Sequence, residues 1–312
     1  MIFLGRRRKI QRVQRVFFAS FFAVALVAVF FLANAQKIDS PVIPQEVSAS
    51  NEVLPPPVVV SETQAAPAVA ISKPVVIDDG KIHASAAFST ELESGRVLFS
   101  QNAQKKLPIA SLTKLMTALV VLDQYDLGYP VTISAEAMAQ EGSQGNLKAG
   151  QVLSVKDLLY ILLMESSNRS AYALAQVMGV DAFVAAMNVK AQSSGLLDTH
   201  FADSSGLSLN SYSTAKDVAQ LSGYLFTNYP LFREIIGLKE FNLYLPDGAL
   251  HHKLVTTNQL LGQLDIVGGK TGWTAEARGC FMVIRQVGQT HTINVILGAE
   301  DRFLEMKKLI NQ

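Results

Sequence analysis

The chain is 312 residues long, 49% hydrophobic and 17% charged, with a single cysteine. That length allows about two domains of roughly 150 residues each, or one large domain with appendages; one cysteine, Cys280, excludes a disulfide framework and any cysteine-based zinc cluster. The net charge of +1 conceals an asymmetry: Arg6, Arg7, Arg8, Lys9, Arg12 and Arg15 crowd the first 15 residues and leave 21 basic against 26 acidic groups elsewhere, a balance that argues against nucleic-acid binding.

Directly after this basic flank, residues 1–15, comes the uncharged run VFFASFFAVALVAVFFLANAQ, residues 16–36. It reads as a transmembrane anchor or as a signal peptide. Its length suits a bilayer-spanning helix of roughly 17–25 residues, whereas Ala33-Asn34-Ala35 fits the small-x-small rule for cleavage after Ala35. Either way, the basic flank stays in the cytoplasm and everything beyond residue 36 is exported. The expected localisation is the cell membrane, single-pass with the rest outside the cytoplasm, or secretion if the segment is removed. Residues 37–80 carry Pro41, Pro44, Pro55, Pro56, Pro57, Pro67 and Pro74 among Ala, Val, Ser and Gln. Prolines at that density break helix and ladder alike, so a Pro-rich linker is predicted, with a reach of at most about 140 Å. Residues 81–312 remain for one sizeable core.

Within them, Ile82 to Phe99 alternates apolar and polar residues around Ser94-Gly95, predicting a hairpin. Helical spacing follows at 110–125, 155–164 and 169–178, the second opened by Ser154 with Asp157 three positions on. Another helix is predicted at 214–227, after Ser213. Strands return at 265–272, 279–287 and 290–297, the last two turning at Gly288-Gln289, and a helix over 300–310 ends the sequence. The fold class is therefore α+β: an antiparallel sheet built from both chain ends, with an inserted helical region.

Three short motifs carry chemistry. Ser111 and Lys114 stand three apart at a helix start, so hydroxyl and amine share a face. A serine needs an adjacent base, and a lysine becomes one when burial and nearby positive charge lower its pKa. Ser166 and Asn168 flank a turn between two helices, where they would relay a proton and hold a carbonyl, or simply cap those helices. Lys270, Thr271 and Gly272 lie on a late strand. There they would offer charge, hydroxyl and close approach to a peptide paired along the edge, or mark no more than a strand end turning at a glycine.

Taken together, Ser-x-x-Lys, Ser-x-Asn and Lys-Thr-Gly occur in order, 55 and 104 residues apart. The sequence resembles the low-molecular-mass penicillin-binding proteins of the D-alanyl-D-alanine carboxypeptidase family, serine peptidase family S11. The resemblance runs from about Ser85 to Lys308 and includes LESGRVL at 92–98, PIASLTKLMT at 108–117, STAKD at 213–217 and VGGKTGWT at 267–274. It implies a β-lactamase/transpeptidase-like fold and an acyl-enzyme on Ser111, inhibited by penicillin, that trims the D-Ala-D-Ala end of peptidoglycan stem peptides. Lys114 would be the general base, with Ser166 relaying the leaving-group proton and Asn168, Lys270, Thr271 and Gly272 binding substrate. The N–H groups of Ser111 and of Trp273 or Thr274 would form the oxyanion hole. Its expected partners are the stem peptide, β-lactams and, through the N-terminal segment, the membrane; no cofactor and no metal are expected.

The alignment puts His291 where many members have a carboxylate-binding arginine, with Arg278 a possible substitute. The sequence also stops at Gln312, without the family's C-terminal β-rich domain and amphipathic anchor, whose place an N-terminal span with a tether would take. His251-His252 lack a third metal ligand at useful spacing, and Cys280 reads as core. A D,D-endopeptidase cutting peptidoglycan cross-links would use the same residues. A β-lactamase would need a deacylating Glu, and 194–211 contains none. A membrane-anchored β-lactam sensor would carry a cytoplasmic signalling domain, for which 15 residues ahead of the span are too few.

Overall fold

The computed structural model describes residues 81–143 and 145–312. The basic flank 1–15, the apolar segment 16–36 and the linker 37–80 lie outside the described residues. Among the described residues, no single helix is long and apolar enough to cross a membrane.

In chain order the strands are β1 (Ala86–Glu91), β2 (Val97–Gln101), β3 (Leu107–Pro108), β4 (Pro130–Thr132), β5 (Val152–Ser154), β6 (Tyr212–Ser213), β7 (Glu240–Tyr244), β8 (Leu250–Val255), β9 (Ile266–Thr274), β10 (Arg278–Val287) and β11 (Thr290–Ala299). The helices are α1 (Lys114–Gln124), α2 (Ala135–Met138), α3 (Val155–Met164), α4 (Asn168–Gln176), α5 (Val180–Ser193), α6 (Ala215–Asn228), α7 (Pro230–Ile236) and α8 (Arg302–Ile310). A 3₁₀ turn, Ala110–Thr113, leads into α1.

Strands from both chain ends meet in one five-stranded antiparallel sheet, β2-β1-β11-β10-β9, as the sequence predicts. Both faces are covered, and the side-chain alternation of a strand divides β10 between them. Cys280, Met282 and Ile284 enter the larger core under the helices, whereas Phe281 and Val283 face a smaller one with Ile82, Leu260, Met306 and Leu309. That double burial is why β10 reads as an unbroken apolar run.

α3 sits deepest. Eight of its residues are buried, as befits a helix apolar on nearly every side. Ser154 Oγ accepts from Asp157 N at 3.1 Å while Asp157 Oδ2 accepts from Ser154 N at 3.2 Å, the reciprocal cap expected from sequence. Truncating a side chain such as Leu159, 0% exposed, would cost about 2–5 kcal/mol. The helix therefore presents a rigid C-terminal end, from which the chain turns at Ser166 into α4.

Several boundaries differ from expectation. The helix expected from 110 is α-helical only from Lys114, because Ala110, at φ +47°, cannot join a regular right-handed turn. The cap of α6 is Thr214, whose Oγ1 accepts from Asp217 N at 3.0 Å, one residue after Ser213. α5, α7 and the β7–β8 hairpin were not anticipated.

Candidate active site

Ser111 lies inside the 3₁₀ turn, partly exposed, between the strained Ala110 and the buried Leu112. Its Oγ is 2.8 Å from Lys114 Nζ. The bend at Ala110 is packed from outside by Gly206 (φ +87°), where an added Cβ would stand 1.9 Å from Ala110 O. Only glycine can occupy that place, so the 203–211 loop locks the turn that presents Ser111.

Lys114 is fully buried, and its Nζ touches three neutral oxygens: Ser111 Oγ, Asn168 Oδ1 at 2.6 Å and Ser205 O at 2.8 Å. Burial lowers its pKa to about 7, against the opposing pull of the Asp203 charge. The Asn168 amide is held in one orientation, since its Nδ2 donates to Glu141 O at 2.6 Å.

Ser166 has φ +62° and is 6% exposed. Its Oγ accepts from Lys270 Nζ at 2.7 Å, and the same amine donates to Thr271 O at 2.8 Å. Ser166, expected as a relay for the leaving-group proton, thus has Lys270 as its hydrogen-bond partner. Lys270 is 1% exposed, and burial, with Lys114 and Arg302 adding positive charge nearby, holds its pKa well below that of a free amine. It lies beneath the surface rather than presenting an open charge. Ser167 accepts from Ser170 N at 3.1 Å and caps α4, so one tripeptide both ends a helix start and furnishes site groups.

These residues line or underlie a cleft of about 710 Å³ whose walls include Ser111, Ser166, Asn168, Thr271, Gly272 and Arg302. A Cβ on Gly272 would be 2.9 Å from Ser111 N, so glycine here lets β9 pass against the nucleophile's own amide. Thr271 Oγ1 is 2.7 Å from Thr257 Oγ1, and Trp273 stands 61% exposed at the rim. A separate cavity of about 540 Å³, between β1, β2 and α6, contains none of the motif residues.

The alignment's place for a carboxylate-binding cation is corrected. His291 sits at the opposite end of β11 from the cleft, with Nδ1 at 2.9 Å from Glu93 Oε1 and its ring against Phe226. Arg278 is exposed, outside the cleft lining. The cation that does line the cleft is Arg302, in the first turn of α8, with Nη1 at 3.2 Å from Gly272 O. Its signal in sequence was only an arginine just after an Asp cap. His252 Nε2 is 3.0 Å from Glu165 Oε2 and touches His251; among the described residues no group of three or more His, Cys, Asp or Glu has metal-holding geometry.

The family profile described as D-alanyl-D-alanine carboxypeptidase, peptidase S11, matches residues 68–301. The chain is 34% identical over 235 residues to a D-alanyl-D-alanine endopeptidase of Pseudomonas aeruginosa, covering 72% of this chain and 74% of that one. It is 32% identical over 241 residues to the D-alanyl-D-alanine carboxypeptidase DacF of Bacillus subtilis, covering 73% and spanning 61% of that relative. The solved Streptomyces K15 DD-transpeptidase superposes with TM-score 0.70 at 28% identity, covering 74% of this chain and 97% of that one. The profile match over most of the chain and the relatives at 34% and 32% identity place the chain in the D-alanyl-D-alanine carboxypeptidase family of serine peptidases, S11.

Proposed function

We propose that Ser111 is the nucleophile through which this serine-type D-Ala-D-Ala carboxypeptidase opens the terminal peptide bond of peptidoglycan stem peptides, and that Lys114 is its base. The observation that carries the reading is the partner set of Lys114. A neutral amine has two N–H bonds and one lone pair. Asn168 Oδ1 and Ser205 O can only accept, so they take both hydrogens and the lone pair is left for the Ser111 hydroxyl.

Ser111 Oγ then attacks the carbonyl carbon between the two D-alanines, and its proton passes to Lys114 Nζ. Negative charge on the carbonyl oxygen meets the N–H groups of Ser111 and of Trp273 or Thr274. Ser166, an acceptor from Lys270, keeps its own hydrogen free for the departing nitrogen, and Lys270 replaces it. The C–N bond breaks, free D-alanine leaves, and an ester to Ser111 remains. Water attacks that ester and gives up one proton, which restores Lys270 by way of Ser166, while Lys114 returns its proton to Ser111 Oγ. Arg302, with Thr271, binds the substrate's terminal carboxylate. β-Lactams acylate the same oxygen. Residues 16–36 hold the enzyme at the membrane and 37–80 space it outward; intact mass and membrane fractionation of the full chain test this, and a soluble product cleaved after Ala35 would reverse it.

The test of the activity is free D-alanine release from a D-Ala-D-Ala-terminated peptide by the full chain. Release by wild type and none by Ser111→Ala is expected. The 34% identity to an endopeptidase favours a second substrate, the cross-linked dimer. Cleavage of dimers without release of D-alanine would make the endopeptidase the main activity.

A further inference from the structure

Beneath the cleft two buried lysines, Lys114 and Lys270, lie near one another and near Arg302. Neither lysine's Nζ touches a carboxylate; the partners are Ser111, Asn168 and Ser205 oxygens for one and Ser166 and Thr271 oxygens for the other. Buried amines with only neutral contacts are costly in their charged form. The carboxylate that acts on Lys114 is Asp203, in the 203–211 loop.

Asp203 is itself half-buried and held by a fan of donors. Its Oδ2 accepts from Ser205 N at 3.2 Å, Ser205 Oγ at 2.6 Å, Gly206 N at 2.9 Å and Leu207 N at 2.9 Å, and its Oδ1 accepts from Ser211 Oγ at 2.9 Å. Burial alone would raise its pKa, but the Ser205 and Ser211 hydroxyls and the backbone amides outweigh it and keep the carboxyl ionised. With both oxygens occupied it is not poised to activate water. The fan instead fixes the turn whose Ser205 carbonyl receives a Lys114 hydrogen and whose Gly206 packs against Ala110 O.

We propose that Asp203 is a positioning residue for Lys114, holding the Ser205 carbonyl against its amine and supplying a fixed, half-buried negative charge from the same loop. The groups around that amine are Ser111 from the 3₁₀ turn, Asn168 from α4, Ser205 O and Asp203 from the loop, Lys270 from β9 and, beyond it, Arg302 from α8. Burial favours the neutral amine, and the Asp203 charge opposes it. Asp203 therefore sets the pH at which Lys114 turns from ammonium into base.

The proposal rests on Lys114 as base, and the experiment separates the two. Acylation of the full chain by a fluorescent penicillin is followed from pH 5 to 9. Wild type should show an acid limb near pH 7, where Lys114 deprotonates; labelling with no acid limb would count against Lys114 itself. Asp203→Asn should move the limb down by about one pH unit, so that the rate at pH 6, relative to its own plateau, rises about fivefold. The plateau itself should fall as the turn loosens. Ser211→Ala removes one hydrogen bond but keeps the charge, and its limb should stay in place. A folded Asp203→Asn protein whose plateau drops while its limb stays overturns the proposal, as does an equal shift in Ser211→Ala. If Asp203→Asn does not fold, Asp203→Glu, which keeps the charge while disturbing the turn, is read instead. Its plateau should fall with the limb unmoved, and a limb that moves with the charge intact overturns the idea.

Discussion

At one edge of the five-stranded sheet, β2 runs through Val97, Leu98, Phe99, Ser100 and Gln101, all exposed or half-buried. At the other edge, β9 is buried without a break from Gly268 to Gly272, although among the described residues no strand lies beyond it. Both edges offer unpaired backbone groups, which proteins ordinarily blunt. Here β2 is short and bulged against β1, whereas β9 is long and covered by the 3₁₀ turn that carries Ser111. The difference teaches that an edge can be shielded by a turn packed against it and still border an open cleft.

The sharpest way to break this contrast is Gly272→Val. Its branched side chain would press into Ser111 N and Ile109 O, so penicillin acylation should fall at least about 100-fold, with a stability loss of about 1–3 kcal/mol. Retained acylation would mean that the close approach of β9 does not matter to the nucleophile. Arg302→Gln comes next. Loss of a charged donor to the substrate carboxylate should raise the peptide's KM roughly 10–100-fold, with kcat less affected; a fall in kcat alone would place Arg302 in the chemistry rather than in binding. On the opposite edge, Leu98→Thr should shift stability by no more than about 0.5 kcal/mol and leave D-alanine release unaltered. A loss of activity there would show that the far edge is coupled to the cleft.

The edge motif was legible because its chemistry is local: Lys270, Thr271 and Gly272 are consecutive, and the apolar run of β10 announces a buried partner strand. Ser111 and Lys114 were legible for the same reason, three residues apart. What the sequence hid depends on contacts across distant segments. Arg302 reaches the cleft from α8, next to a glycine 30 residues earlier, and no local pattern marks that approach. Asp203 looked like a loop residue, since five hydrogen bonds to its own loop leave no periodicity. The expectation of His291 followed alignment along β11, but the sheet places that end of the strand beside Glu93. α5 was missed because its buried stripe is thin, Phe183, Met187 and Ala191, amid exposed small and polar residues. The β7–β8 hairpin was missed because β7 is short, with Leu243 its one fully buried residue, and the paired histidines interrupt the alternation of β8.

Cys280 has a chemical consequence of its own. Its side chain is 0% exposed on β10, with Sγ facing the carbonyls of Pro108 and Ala277 at 3.7 and 3.6 Å, and burial pushes the thiol up to about 11. Only the thiolate is nucleophilic, and at neutral pH about one molecule in ten thousand carries it. In the folded chain this thiol is thus shielded from alkylating agents and from thiol exchange, and no disulfide can form through it without unfolding.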